Sequence, residues 1–271
     1  MTRDADLPML EPSYEVSSAS TDRFWDDGFV VLRGVLSAEE VAAYRRVIVK
    51  QAQADFDAAG EDALTFGGAF FQTLNLRTRS DAVAGFALSP RIGRIAASLL
   101  RVPGVRVYHD QALFKPPGGI ASYWHQDQYF WPLETDRSLG LWMPLTDVTE
   151  DMGTMRYAAG SHRLGDLGQH TIDAASERHF DALIETEGLA IKGTGAMRAG
   201  DCAFHLGWTV HGALANRSER LREAMVVTFY PDGTRVGALC NDYRVADARD
   251  HLGGGQPGAL AAGPNNTLVW G

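Results

Sequence analysis

The stretch Trp124-His125-Gln126-Asp127-Gln128-Tyr129-Phe130 sets an imidazole and a carboxylate two positions apart among aromatic rings. Titratable groups taken out of water are costly unless each finds a partner, so this composition asks for one. Residues i and i+2 of a strand share a face; read as a strand, the stretch projects His125 and Asp127 to one side and Gln126 to the other. A divalent cation would satisfy both, by neutralising the carboxylate and accepting the imidazole lone pair. A His-x-Asp triplet also arises by chance, so the reading depends on what else the chain supplies. The best third donor is His211 in Trp208-Thr209-Val210-His211-Gly212, at the end of another apolar run. Two imidazoles and one carboxylate on one face of an octahedron form the triad of non-haem Fe(II) oxygenases, with the opposite positions open.

Working outward, the chain from Val105 onward is a series of short apolar runs broken by Gly, Pro and Asp: VRVYHDQALFKPP, SLGLWMPLTDV, GTMRYAAGSH, GDCAFHLGWTVHG and LREAMVVTFYPDG. Short strands with turn punctuation and no long helical period predict a β-sandwich or barrel. The front of the chain is different. Thr21 to Phe24 reads as a capped helix, Gly28 to Leu32 as a strand, and Ser37-Ala38-Glu39-Glu40 as a capping box opening a helix to about Ala58. Ser89-Pro90 starts a second helical stretch before Ile92, Ile95, Ala96 and Leu99. One domain over residues 1–271 is expected, mainly β with flanking helices, with a loose tail over 1–19 and an insert over 163–188 that could act as a lid.

With 45% hydrophobic and 22% charged residues, the chain has the composition of a folded globular protein. A net charge of −9 disfavours nucleic acid and anionic membrane as partners. Cys202 and Cys240 form no CxxC pair, which argues against a disulfide scaffold or a thiolate zinc site. No eighteen-residue apolar run and no basic-then-apolar leader stand out, so a cytoplasmic location is expected. Oligomeric state leaves no mark on the sequence.

Arg222 opens the apolar run Ala224 to Tyr230 with no evident partner other than Glu219 or Glu223 at the surface. A guanidinium buried at a barrel end calls for a planar anion, and a dicarboxylate supplies one. Taken in order, Lys115-Pro116-Pro117, His125-Gln126-Asp127, Trp142 with Asp147-Val148, Gly160-Ser161-His162, Gly200-Asp201, His211-Gly212, Asn216, Ser218 and Arg222 resemble the phytanoyl-CoA dioxygenase family of Fe(II)/2-oxoglutarate oxygenases. The resemblance spans about Arg23 to Gly233. It implies a double-stranded β-helix (jelly-roll, cupin-like) core, Fe(II) held by His125, Asp127 and His211, O2 and 2-oxoglutarate as cosubstrates, and Arg222 on the distal carboxylate of 2-oxoglutarate. It further implies Trp142 near that cosubstrate and a small-molecule substrate, with natural-product tailoring in bacterial relatives.

Two departures and one retained residue matter. Many members carry Ser two residues after the distal His, where this chain has Ala213, so Arg222 does more of the work or Thr209 or another group helps. Asp127 occupies the position that related halogenases leave as Gly or Ala, which favours hydroxylation or another oxidation over halogenation. Ala159 stands where the family has Pro before the Gly-Ser-His turn.

Alternation puts Gln111, Leu113 and Lys115 on one face of their strand, with Gln111 facing cosubstrate or substrate and Lys115 snorkelling at the end. Tyr129, Phe130 and Trp131, with Phe71 and Gln72 opposite, are expected to wall a dry substrate pocket. His162 reads as a loop anchor, His109 and His205 as core residues, and His170 and His179 as parts of the insert. Competing readings are a metal-dependent hydrolase or lyase on a similar barrel, an acyl-CoA hydroxylase, and a jelly roll that binds ligand without chemistry.

Overall fold

A computed structural model of the chain describes residues 7–60, 64–65 (backbone only), 69–168 and 171–271. Residues 1–6 of the expected loose tail, and His170, lie outside these.

The helical front forms as its caps dictate. α1 (Ser18–Asp27) begins before Thr21, where its capped start was expected: Ser17 is the cap, accepting from Ser20 N, and Gly28 closes the helix at φ 82°. A Cβ on Gly28 would lie 2.5 Å from both Thr209 Oγ1 and His162 Nδ1, so the close approach as well as the left-handed backbone needs glycine. After β1 (Phe29–Leu32), the Ser37/Glu40 capping box opens α2 (Ala38–Ala59). The hairpin of β2 (Leu64–Thr65) and β3 (Phe70–Leu74) follows, then α3 (Asp81–Ala87) and α4 (Pro90–Leu100). Residues Asp81–Leu100 are long and apolar enough to pass for a membrane span, which the sequence reading did not register, but 67% of that window is buried. Ser89-Pro90 also divides it into two helices that pack Ile92, Ile95 and Leu99 into the main core. The expectation of a loose tail fails from Leu7 onward. Leu10 is buried, Tyr44 Oη donates to Pro8 O at 2.8 Å, and Arg91 Nε donates to Glu11 O at 2.8 Å.

The β-core is two antiparallel sheets. The remaining strands are β4 (Val105–Lys115), β5 (Ser122–His125), β6 (Leu139–Pro144), β7 (Met155–Ala158), β8 (Ile191–Gly193), β9 (Cys202–Leu206), β10 (His211–Ala213), β11 (Arg222–Pro231) and β12 (Leu268–Trp270). The larger sheet runs β1-β9-β6-β11-β4-β3-β2, with β12 also on β4; the smaller runs β5-β10-β7-β8. This is the jelly roll that the family resemblance implied, and a form of the sandwich or barrel expected from the short, punctuated runs. One face of the larger sheet joins α2 to α4 in the main core, while its other face meets the smaller sheet.

The insert is docked. Its helix α5 (Ala174–Thr186) buries Phe180 and Ile184 against Trp124, Ala158 and Val210. Glu177 accepts from the Trp124 backbone N–H and Asp181 from its indole N–H, both at 2.9 Å. Near the C-terminus, α6 (Asp242–His251) lies beside β4, and Arg77 ties the segment after it to the core: Nη1 pairs with buried Asp110 at 2.6 Å and Nη2 donates to Asn265 O at 2.5 Å.

Candidate metal and cosubstrate site

His125 is the last residue of β5, and Asp127 opens a 3-10 turn, Asp127–Tyr129. Strand alternation, the reason given for their shared direction, therefore does not hold. The turn swings the carboxylate back toward His125, with 3.6 Å between His125 Nε2 and Asp127 Oδ1. His211 pairs directly with His125 across β5 and β10, which brings the two imidazole centroids to 4.2 Å and His211 Nε2 to 3.7 Å from Asp127 Oδ2. One donor atom from each of the three lies within 4.8 Å of the others, so they can hold a cation.

Hydrogen bonds orient all three. His125 Nδ1 donates to Tyr123 O at 2.8 Å and His211 Nδ1 to Thr209 O at 2.9 Å, an assignment that leaves both Nε2 lone pairs facing the carboxylate. Burial, together with the neighbouring imidazoles, keeps the His211 pKa well below that of a free imidazole, so it stays a neutral donor. For Asp127, burial works to raise the pKa, but His211, His205 and His125 together hold it well below the usual carboxylate range. His205 is the member that the sequence reading placed in the core. Its Nε2 donates to Asp127 Oδ2 at 3.3 Å, and its ring lies 4.1 Å from that of His211. The opposing residue on β6 is Gly140, where a Cβ would sit 3.0 Å from the His205 ring; glycine makes room for this imidazole.

A cavity of about 500 Å³ opens beside these residues. Arg222 lines it, is 1% exposed and has no carboxylate partner among the described residues. Glu223, one of its suggested surface partners, is held by Arg45 instead. Arg222 Nη1 donates to Gly153 O, while Nε and the neighbouring Trp142 Nε1 are both buried without acceptors. Burial brings the guanidinium down to about 10, which leaves it cationic at neutral pH. Two orphaned donors beside a buried cation fit an absent anion. Gln111, Val226 and Trp142 form one row across the larger sheet at its centre, and all three line the cavity.

Several expected wall residues need correction. On β3 the cavity-facing set is Phe70, Gln72 and Leu74, so Phe71 falls on the opposite face, 5.5 Å from the Phe56 ring in the helical layer. Phe130 and Trp131 line the cavity, whereas Tyr129 packs behind Phe130 and does not. Thr209 does not reach the cavity; its hydroxyl, fully buried, donates to Gly28 O at 2.8 Å. Lys115 does not snorkel: its side-chain nitrogen is buried and donates to Ile120 O and Leu214 O, clasping the loop before β5 to the end of β10. Burial first, then the Arg222 and Arg156 charges, drop its pKa to about 6. His109, also assigned to the core, lines the cavity, as do Tyr243, Asp247 and His251 of α6, a helix for which the sequence reading had no role. The signal for the missed residues was alternation. His109 and Gln111 share a face on β4, and Tyr243, Asp247 and His251 recur every four residues.

Residues 24–224 match the model of the phytanoyl-CoA dioxygenase (PhyH) family. The chain belongs to that family. A probable alpha-ketoglutarate-dependent hypophosphite dioxygenase of Stutzerimonas stutzeri is 27% identical over 225 residues, 76% of each chain. Among solved structures, the non-heme alpha-ketoglutarate-dependent carbocyclase SnoK of nogalamycin biosynthesis is 25% identical, with a TM-score of 0.78 over 97% of this chain and 98% of that one. The epimerase SnoN, in a complex with Fe3+, alpha-ketoglutarate and nogalamycin RO, shares the fold at 22% identity and a TM-score of 0.75, over 93% of this chain and 97% of that one. This enzyme is an iron- and 2-oxoglutarate-dependent dioxygenase.

Proposed function

We propose that the enzyme oxidises a C–H bond of a ring-containing natural product, with iron on His125, Asp127 and His211 and 2-oxoglutarate anchored by Arg222. The observation that carries this reading is the convergence, in one cavity, of three oriented metal donors and a buried guanidinium with no anion of its own. When bound, iron would activate O2, the oxidant, while 2-oxoglutarate is itself oxidised to succinate and CO2, so that one oxygen atom remains to oxidise an unactivated C–H bond.

The protein's own part is geometric. The Tyr123 and Thr209 carbonyls hold the imidazoles in the donor tautomer, and His205 fixes the second oxygen of Asp127. Arg222 pairs with the distal carboxylate of the cosubstrate, and Trp142 Nε1 and Gln111 offer further donors beside it. The hydroxyl missing at Ala213 comes from Ser122, which lines the same cavity. Phe70, Phe130 and Trp131 exclude water from the far side, and Thr171, Ile172 and Asp173, the residues that lead into α5, border the same cavity. The resemblance to SnoK, a carbocyclase of nogalamycin biosynthesis, supports a natural-product substrate and, with it, a place in bacterial secondary metabolism. Two free cysteines and an acidic chain suit a cytoplasmic enzyme.

The decisive measurement is titration of the anaerobic Fe(II) enzyme with 2-oxoglutarate, followed by succinate release in oxygenated buffer. Binding of one equivalent, lost in Arg222→Leu, is expected. An enzyme that takes up Fe(II) but has no affinity for 2-oxoglutarate would overturn the assignment of these residues.

A further inference from the structure

Helix α6 lies outside the segment that matches the family, residues 24–224. It also packs unusually. Its only fully buried residues are Ala248 and His251, so no apolar stripe explains its docking. Arg244 holds it instead, donating from Nε to Tyr129 O at 2.9 Å and from Nη2 to Gln128 O at 3.3 Å, on the turn that begins with Asp127. With Arg244 so fixed, the face bearing Tyr243, Asp247 and His251 points into the cavity.

That end of the cavity is aromatic and acidic. Tyr243 stands edge-on to Phe130 with centroids 5.2 Å apart, Trp131 lies next along the chain, and the Tyr108 hydroxyl donates to Asp247 Oδ2 at 2.7 Å. The second oxygen of Asp247 has no protein donor among the described residues. Apart from Arg222, none of the described residues that line the cavity is Lys or Arg. The other acid there beyond Asp127, Asp173, is engaged at the start of α5, accepting from Ala175 N and Ser176 N.

Resting on the function proposed above, we propose that the substrate carries a basic amine, bound as an ammonium ion by Asp247 within the ring cage of Tyr243, Phe130 and Trp131. An ammonium supplies the donor that the free carboxylate oxygen lacks, and it is attracted to the faces of the rings. Phosphate-bearing acyl-CoA would meet an acid where it needs a base. Burial, with the nearby Asp250 charge, lifts Asp247 to about 6, against the Tyr108 hydrogen bond, so the carboxylate is ionised at pH 7.5.

The test uses three probes of matched shape, 2-phenylethylamine, 2-phenylethanol and phenylacetate, titrated calorimetrically into the anaerobic enzyme already loaded with Fe(II) and 2-oxoglutarate. The amine is expected to bind about tenfold tighter than the alcohol, and phenylacetate most weakly. Asp247→Asn keeps an acceptor for Tyr108; it should bring the amine to the level of the alcohol while leaving the alcohol and 2-oxoglutarate unchanged. Tyr243→Leu should weaken the amine severalfold with no such change for the alcohol. Equal binding of amine and alcohol, a preference for the acid, no binding of any probe, or an amine preference that survives Asp247→Asn overturns the inference while leaving the oxygenase assignment standing. Failure of 2-oxoglutarate to bind in the loading step overturns both.

Discussion

Ala213 and Ser122 face each other across the pairing of β10 with β5, and both line the cavity that Arg222 enters. The strand beside that of the distal histidine thus carries a hydroxyl opposite the position where the family resemblance led one to expect it. Lys115 Nζ stands 3.4 Å from the Ser122 hydroxyl and steers it.

Ser122→Ala should weaken 2-oxoglutarate by about fivefold, the worth of one neutral hydrogen bond of about 1 kcal/mol. Adding Ala213→Ser to that variant should restore the affinity, because the hydroxyl returns from across the strand pair. Calorimetric titration of the anaerobic Fe(II) enzyme reads both; a double variant no better than Ser122→Ala would show that Ser122 plays no such part.

Arg222→Leu should cost about 100-fold in 2-oxoglutarate affinity, as expected for loss of a charge-assisted pair worth about 3 kcal/mol. Iron content should not change, since Arg222 touches none of the three metal donors. Metal analysis beside the cosubstrate titration separates these effects, and loss of iron in this variant would contradict the division of labour.

His205→Ala frees the second oxygen of Asp127 and should lower Fe(II) affinity by about 10- to 100-fold. Gly140→Ala presses a methyl group onto the same imidazole and should destabilise the fold by about 1–3 kcal/mol. Competitive chelator titration checks the first and urea unfolding the second. An alanine at 140 that leaves both stability and metal affinity unchanged would mean that the imidazole moves aside freely.

The amine preference should depend on pH with a definite sign. Protonation neutralises Asp247, so the ratio of 2-phenylethylamine to 2-phenylethanol affinity should be full above pH 7 and decline as pH falls through about 6. The other groups near this carboxylate do not reverse that sign: the Tyr108 phenol is pushed well up by burial and keeps its proton, and the His251 imidazole is pushed down by burial, while any proton it does take up would repel an ammonium and so act in the same direction. A ratio that rises on acidification would contradict an ionised Asp247 as the anchor.

Arg77→Met leaves buried Asp110 with backbone donors but no cation and should destabilise the protein by about 3–5 kcal/mol. Urea unfolding would show it, and a loss below 1 kcal/mol would mean that this pair does not hold the C-terminal segment to β4.

Local chemistry was enough to read the caps of α2 and α4, the strand runs of the β-core, the donor types at 125, 127 and 211, and the uncommitted Arg222. Those features depend on side chains acting on their own backbone or on residue types that water alone would not leave buried. What the tertiary structure decided was direction and company. A 3-10 turn rather than strand alternation turns Asp127 toward His125; the parity of β3 sends Phe70 rather than Phe71 to the cavity; Thr209 is spent on Gly28. His205, Ser122 and the polar face of α6 acquire their roles through partners distant in sequence, brought close only when the sheets pair and Arg244 docks its helix. Register and packing are many-body outcomes, and no window of sequence contains them.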